Sequence, residues 1–136
     1  DSLKKYLKNN NVAENKVIFK GRITGRDKFN QYANHHLYLL PSYTEGCPNS
    51  VLEALASGLF CITTPVGALA ELIIPNENGI LVKVKSVDNI VDAILKCKSN
   101  KEFVNKRNQI SRDAIKKFDI RNITKQFDLY YNKIYT

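Results

Sequence analysis

PSYTEGCPNSVLEALASG, residues 41–58, joins a strand to a helix and thereby decides the fold. The short apolar run 37–40 precedes it and is typical of a strand buried on both faces of a parallel sheet. After the loop, apolar residues repeat at helical spacing, and they predict a helix that Asn49 or Ser50 caps and Gly58 ends. The stretch therefore predicts an exposed loop that ends on a helix N-terminus.

The start of this helix has a chemical meaning. First-turn amides lack partners within a helix and point outward with the positive end of its dipole, so they favour an anion. We expect the amides of residues 50–52 to hold a phosphate. Glu53 lies one turn into the helix and is suited to accept hydrogen bonds from sugar hydroxyls. Glu45 lies on the loop and faces the same site. A phosphate and a polyhydroxylated ring in one site predict a sugar nucleotide as ligand.

Spacing alone carries little weight, because two glutamates eight residues apart occur in many unrelated helices. For Glu45 and Glu53 alike, the alternative interpretation is a solvated surface carboxylate. The whole pattern Pro-Ser-x-x-Glu-Gly-x-Pro-x-x-x-x-Glu-Ala-x-Ala-x-Gly is more specific. It resembles the glutamate-x7-glutamate signature of the family 4 retaining glycosyltransferases, which belong to the GT-B superfamily. Three flanking segments are similar to strands and loops of the same family: 17–21, 61–67 with Glu71, and 78–82.

The resemblance implies an α/β fold with a Rossmann-like parallel sheet flanked by helices. It places residues 1–136 in the C-terminal nucleotide-sugar-binding domain of a GT-B enzyme, incomplete at its N-terminal side. The family's arginine–lysine pair for the donor phosphates and its N-terminal acceptor domain are not in this sequence. The chain has no methionine and begins at Asp1, which we interpret as a piece of a longer protein. We expect this piece alone to be inactive.

The resemblance also implies residue roles in a retaining transfer of a hexose from a nucleoside diphosphate sugar to a hydroxyl acceptor. Glu45 is the expected catalytic residue, in contact with the donor sugar, and Glu53 is expected to bind the ribose hydroxyls. The remaining donor-binding residues are expected to be Gly21, near the base, and Gly46, Asn49, Ser50 and Val51. A UDP- or GDP-sugar is the expected donor. No cofactor or metal is expected, since GT-B enzymes do not generally require one and the chain has no Asp-x-Asp cluster.

Charge is distributed unevenly along the 136 residues, whose net charge is +8. Residues 29–95 hold two basic and six acidic groups, whereas both flanks are basic. Such flanks are typical of solvated helix faces. An alternative interpretation is that the basic flanks attract the protein to anionic lipid headgroups at a membrane surface, as suits an enzyme with a lipid-linked acceptor. A nucleic-acid partner is not expected, because the motif segment is net negative. Three cysteines without metal-ligand spacing favour a cytoplasmic protein, at most peripheral to the membrane's inner face.

Strands are predicted at 17–20, 37–40, 60–63 and 80–84, alternating with helices, so that the loops after the first three share one edge of a parallel sheet. Helices are predicted near residues 3–8, at 27–34, after Ser86, at 101–117 and after Asp119. The helix after Ser86 has a predicted inward face formed by Val87, Ile90, Val91, Ile94 and Leu95. The last helix carries an apolar stripe predicted to be core, part of it facing a partner domain: Ile120, Ile123, Phe127, Tyr130, Tyr131 and Ile134.

Two other functions remain open from the sequence. One is a different GT-B enzyme, such as a sugar-nucleotide epimerase or a phosphorylase, although no context for a pyridoxal lysine is present. The other is a non-catalytic α/β nucleotide-binding or interaction module. The expected process is synthesis of a bacterial polysaccharide or glycolipid, with a glycan or lipid-linked acceptor. The sugar, the base and the acceptor do not follow from the residues.

Overall fold

The computed structural model describes residues 2–100, 102 and 109–135. Its centre is a three-stranded parallel sheet in the order β1–β2–β3, formed by Leu37–Leu40, Phe60–Thr63 and Gly79–Leu81. Leu37 pairs with Phe60, and Cys61 pairs with Gly79. The predicted α/β class and the parallel sheet flanked by helices are confirmed.

Helices follow each strand, as parallel pairing requires a crossover between neighbouring strands. A 3₁₀ turn at Glu14–Lys16 precedes the sheet and another, Lys116–Phe118, follows it. The α-helices with described bounds are α1 Ser2–Asn9, α2 Gly25–Ala33, α3 Asn49–Ala56, α4 Leu69–Leu72, α5 Val87–Ser99, α6 Gln109–Ile115 and α7 Ile120–Tyr135.

Hydrophobic side chains fill both faces of the sheet. On one face, Cys61 packs in a cluster with residues of α3 and α4, including Val51, Leu55 and Leu69. On the other face, Phe60 and Ile62 pack in a second cluster with Ala93 and Cys97 of α5. Because all four residues of β2 are buried, β2 is the central strand of the core. The two faces therefore separate α3 from α5.

The start and end of α3 show how well its caps were predicted. Pro48, and neither Asn49 nor Ser50, occupies the N-cap position, and no side chain caps this end. Both predicted caps are therefore wrong, because the helix already includes Asn49. At the other end Gly58 has φ +79°, a left-handed conformation that glycine adopts at little cost, and the predicted stop is confirmed.

Residues 17–20 do not form the predicted strand. Val17, Ile18 and Phe19 are all exposed, Ile18 to 71%. No described strand lies beside them, and a strand cannot form without a partner for its backbone groups. β1 consequently pairs on one side with β2 and has no described strand on the other. The fourth predicted strand is present, but it spans Gly79–Leu81 and not residues 80–84.

Two predicted apolar faces are only partly covered. In α5 the buried residues are Ala93 and Cys97, whereas Val87 is 72% and Leu95 is 55% exposed. The helix approaches the sheet along its small side chains, which permit closer contact than the branched ones. Ile120, Ile123 and Phe127 of α7 are 72%, 37% and 73% exposed, so the predicted core stripe is wrong for these three. The side chains of Tyr130, Tyr131 and Ile134 lie outside the described residues, as do 101 and 103–108 of the helix predicted at 101–117.

Candidate active site

The loop after β1 is fastened to the loop after β2. Thr64 Oγ1 donates a hydrogen bond to the carbonyl oxygen of Ser42 at 2.6 Å, and the Ala68 amide donates to the carbonyl oxygen of Gly46 at 2.8 Å. Thr64 is fully buried. Because both loops leave the carboxyl ends of neighbouring parallel strands, these bonds hold them at the edge where α/β proteins bind ligands.

Gly67 makes the closest approach between the two loops. A Cβ atom added at this position would overlap the carbonyl oxygens of Glu45 and Gly46. Its φ of +54° is also in the left-handed region, which side chains rarely adopt. Both the space and the backbone conformation therefore require glycine here. The position of the Glu45 peptide depends on a residue in the next loop.

Glu45 is held by a neighbour in its own loop. Ser42 Oγ donates a hydrogen bond to one carboxylate oxygen of Glu45 at 2.7 Å. Ser42 is itself fixed through its carbonyl oxygen by Thr64. A half-buried carboxylate with one oxygen bonded in this way retains acceptor capacity for a ligand hydroxyl or a developing positive charge. The arrangement orients Glu45 at the sheet edge.

Glu53 is held from a different element. Lys28 Nζ lies 2.6 Å from Oε1 of Glu53, and the Tyr32 hydroxyl donates to Oε2 at 3.2 Å. Lys28 and Tyr32 are four residues apart on α2, so they occupy one face of that helix. The side chain of Glu53 is 26% exposed, and its two oxygens together offer about four acceptor positions. Two protein donors therefore fix the carboxylate, and its oxygens keep acceptor capacity for about two further hydrogen bonds.

Tyr32 links this carboxylate to the core. Its ring packs edge-on against the rings of Phe29 and Tyr38, with centroids 6.3 Å and 5.9 Å away. Burial raises the pKa of Tyr32 to about 12, with further contributions from Tyr38 and from the hydrogen bond and negative charge of Glu53. The hydroxyl consequently keeps its proton over the whole neutral range. Tyr32 is a permanent hydrogen-bond donor to Glu53.

The free amides at the start of α3 are those of Asn49 and Ser50. The Val51 and Leu52 amides both donate to the carbonyl oxygen of Pro48, at 3.0 Å and 3.4 Å. No described residue accepts from the amides of Asn49 and Ser50. This differs from the expected phosphate-binding range of 50–52, because the N-cap is Pro48 and the helix already begins at Asn49, one of the two residues expected to cap it. Val51 is instead a buried core residue.

The structure brings most of the predicted residues to one edge of the sheet. Glu45 and Gly46 lie in the loop that Gly67 contacts, while Asn49, Ser50, Val51 and Glu53 lie on the first turns of α3. Gly21 is an exception, because the segment before it is not a strand and a Cβ added there would meet no atom within 4 Å. No described contact connects Gly21 with the other predicted residues.

Five residues that organise the site were not predicted to belong to it: Lys28, Tyr32, Ser42, Thr64 and Gly67. Lys28 precedes Tyr32 by four residues on a predicted helix, which is a usable signal for a shared face. The roles of Thr64 and Gly67 depend on contacts with residues about 20 positions earlier in the chain. Sequence spacing contains no signal for such contacts.

The part of the chain that the structure describes contains neither a metal-binding group of side chains nor a membrane-spanning helix. Within residues 2–100, 102 and 109–135, no three His, Cys, Asp or Glu side chains are grouped to hold a metal ion. His35 and His36 are both exposed. None of the helices in the same ranges has the length and apolar character needed to cross a membrane.

Comparison with known families gives the assignment. The model of the family described as glycosyl transferases group 1 matches residues 1–117. The chain belongs to this family. A glycosyltransferase of Methanocaldococcus jannaschii, named as uncharacterised, is 32% identical over 114 residues, which are 82% of this chain and 29% of the relative. This group 1 chain thus spans about a third or less of its relatives' length.

A second relative has a named reaction. The UDP-Gal:α-D-GlcNAc-diphosphoundecaprenol α-1,3-galactosyltransferase of Escherichia coli is 25% identical over 72% of this chain and 26% of its own length. Among solved structures, the Anabaena protein HepE in complex with UDP superposes with a TM-score of 0.83 at 19% identity. That superposition covers 97% of this chain and 36% of HepE, and it shows that the two proteins share a fold over this length.

Proposed function

We propose that this group 1 glycosyltransferase chain binds the donor in the transfer of a hexose from a nucleoside diphosphate sugar to a hydroxyl acceptor, with retention at the anomeric carbon. One observation carries the proposal. Glu45 and Glu53 are each oriented by side-chain hydrogen bonds at the carboxyl edge of the sheet, on either side of two free helix amides. A donor made of a sugar, a diphosphate and a ribose requires, in this order, a carboxylate, free amides and a second carboxylate.

Glu53 binds the ribose. Lys28 and Tyr32 occupy one acceptor position on each of its oxygens, so the 2′- and 3′-hydroxyls use positions that remain. The carboxylate does not have to reorganise when the donor enters, since both protein donors stay in place. Preorganisation of this kind lowers the entropic cost of binding.

The diphosphate binds at the start of α3. The free amides of Asn49 and Ser50 point out of the helix with the positive end of its dipole, which favours negative charge. As the bond to the sugar breaks, the departing diphosphate gains charge. Fixed amide dipoles stabilise that charge without reorganising during the reaction. A hydrogen bond from the Ala68 amide to the Gly46 carbonyl oxygen fixes the backbone of the loop that precedes these amides.

Glu45 contacts the donor sugar. Its carboxylate lies in the loop between the sheet edge and α3, and Ser42 fixes its orientation. A negative charge next to the anomeric carbon stabilises the positive charge that develops there as the leaving group departs. Glu45 is thus the catalytic residue of this half of the site. Gly21 remains a proposed contact near the base.

The donor is most simply a UDP-sugar. The E. coli relative is named for UDP-Gal, and the Anabaena structure with the same fold contains UDP. GDP-sugars are the alternative that the test below distinguishes. The acceptor is a glycan or a lipid-linked glycan in bacterial polysaccharide or glycolipid synthesis, reached from the cytoplasmic side of the membrane. Transfer proceeds without a metal or another cofactor, and this chain alone binds donor weakly and does not turn over.

The test is titration calorimetry of UDP and GDP into the full-length gene product and into this 136-residue chain. We expect one nucleotide to bind the full-length protein, and Glu53→Ala to weaken it by the roughly 1.5 to 3 kcal/mol typical of hydrogen bonds to a charged group. Asp128→Asn, on exposed α7, is the control and leaves the affinity unchanged. Anomeric configuration of the product, read by NMR, tests retention.

Three results would contradict the proposal or a part of it. If neither nucleotide binds the full-length protein, the chain is a non-catalytic interaction module. If a nucleotide binds but Glu53→Ala and Asp128→Asn behave alike, the donor lies elsewhere on the protein. Activity lost in the presence of a chelator and restored by a divalent ion would overturn the metal-independent mechanism.

A further inference from the structure

A cationic cavity lies next to the proposed donor site. Residues 29–95 contain only two basic residues, Lys83 and Lys85, and both line one cavity of about 340 Å³. Pro41, Tyr43 and Ile90 form other parts of its wall. Neither lysine forms an ion pair with a described residue. The positive charge of an otherwise acidic segment is thus concentrated in one concave surface.

Tyr43 and Lys85 are arranged as a pair. The ammonium group of Lys85 lies 5.6 Å from the centroid of the Tyr43 ring, within the range of a cation–π contact. Lys85 also has φ +61°, a left-handed conformation that is sterically unfavourable for a lysine. Backbone strain of this kind is concentrated at functional sites. The strained residue is the one whose side chain reaches across to the donor loop.

The position of the cavity separates it from the donor's nucleoside end. Glu53 and its partners on α2 lie on the sheet face that α3 covers, whereas Ile90 of α5 packs on the opposite face. The loop containing Tyr43 and Glu45 passes between the two. A donor that extends from Glu53 to Glu45 therefore places its sugar, and not its base, toward the lysines.

We propose that Tyr43, Lys83 and Lys85 form a phosphate subsite for the acceptor. This assignment of the ligand to the acceptor rests on the donor position proposed above. Two ammonium groups match the charge of a phosphate or diphosphate ester, and the exposed face of Tyr43 offers a surface for an apolar or sugar portion beside it. The same chemistry is available from a soluble sugar phosphate and from a phosphorylated lipid.

The test uses the ¹⁵N-labelled chain and residue-resolved NMR titrations. The free probe is inorganic pyrophosphate, and the lipid probe is phosphatidylglycerol vesicles compared with phosphatidylcholine vesicles. We expect pyrophosphate to shift the amides of Tyr43, Lys83 and Lys85, and the Lys83→Gln/Lys85→Asn variant to weaken this binding at least about tenfold. Lys4→Gln is the matched control, because Lys4 also lies over an aromatic ring, 5.5 Å from the centroid of Phe19, but outside the cavity.

A stability measurement distinguishes a binding role from a structural one. Asparagine adopts the left-handed conformation more readily than lysine, so Lys85→Asn is expected to keep or raise the melting temperature while it weakens pyrophosphate binding. A melting temperature lowered by several degrees would show that Lys85 supports the fold, and it would overturn the assigned role.

The remaining outcomes each decide the proposal. Binding of either probe that is lost in the double variant and kept in Lys4→Gln supports the subsite, and the probe that binds identifies the source of the phosphate. If neither probe binds, or if the double variant binds like the unmodified chain, the subsite does not exist. UDP is titrated separately into the full-length protein, with Glu53→Ala as the variant that reports the donor site. Failure of the donor site is therefore read independently of residues 43, 83 and 85.

Discussion

The ammonium group of Lys28 lies 2.6 Å from a carboxylate oxygen of Glu53, so an ion pair joins α2 to α3, the helix that starts at the proposed donor site. The two side chains are 33% and 26% exposed, which places the pair between a surface and a buried ion pair. Such a pair contributes modestly to stability. Its main consequence is that Glu53 has one orientation before a ligand arrives.

Lys28→Met is expected to weaken nucleotide binding by about three- to tenfold, because Glu53 loses the donor on one oxygen and gains conformational freedom. The measurement is calorimetric titration of the nucleotide that binds the full-length protein. In a Glu53→Gln background the same substitution is expected to have little further effect. Additive losses in the double variant would show that Lys28 does not act through Glu53.

Gly67→Ala is expected to lower the free energy of unfolding by about 1 to 3 kcal/mol more than Gly21→Ala. Both glycines have positive φ, so the cost of a left-handed alanine is common to the two variants. Only at Gly67 would the new methyl group overlap backbone, the carbonyl oxygens of Glu45 and Gly46. Urea unfolding followed by circular dichroism measures the difference, and equal losses would contradict the close approach of the two loops.

Cys47 is expected to be the thiol that reacts first with a disulfide reagent at pH 8. Burial raises the pKa of Cys61 to about 12 and also raises that of Cys97, so both keep their protons, whereas Cys47 is exposed beside Gly46. One thiol should react in the folded chain and three after denaturation. Cys47→Ala should abolish the native reaction, and bound nucleotide should slow it in the full-length protein. Rapid reaction of three thiols without denaturant would contradict the burial of Cys61 and Cys97.

Asp119 is expected to make the stability of α7 sensitive to acid. It accepts hydrogen bonds from the amide and guanidinium of Arg121, which lower its pKa to about 2 from an ordinary value of 3.8. Since the folded pKa is the lower one, the stabilisation is complete above about pH 4 and is lost as the pH falls toward 2. Thermal unfolding between pH 2 and 5 measures it, and Asp119→Asn should have a flatter profile there. Asp128→Asn, in the same helix, should retain the slope of the unmodified chain.

Much of the site was predictable because its residues are close together in the chain. Glu45, Asn49, Ser50 and Glu53 fall within nine residues, and a strand, a loop and a helix of predictable length place them at one edge. β1 and β2 have the predicted bounds, because short apolar runs next to turn residues have few alternatives in a parallel sheet. The cap of α5 by Ser86 is confirmed for the same local reason.

Predictions failed where a segment depends on what packs against it. Residues 17–20 have strand composition, but a strand exists only if another strand accepts its hydrogen bonds, and none of the described ones does. The apolar period correctly predicted the helix α5, but the predicted inward face is wrong for Val87, Val91, Ile94 and Leu95, which are exposed. Ala93 and Cys97 are buried against the sheet in their place. Periodicity predicts a helix, but it does not decide how that helix is rotated against the core.

The sequence by itself determined the fold class, the position of the loops after β1 and β2 at one edge of the sheet, and the family signature that contains Glu45 and Glu53. These depend on local spacing, which the polypeptide geometry converts directly into position. The strand predicted at 17–20, and with it a third loop at that edge, is not part of the described sheet. Only the tertiary structure decided that Lys28 and Tyr32 hold Glu53, that Gly67 fits under the Glu45 peptide, and that Lys83 and Lys85 share a cavity with Tyr43. These relationships join residues about 20 to 40 positions apart, and only chain packing sets such distances.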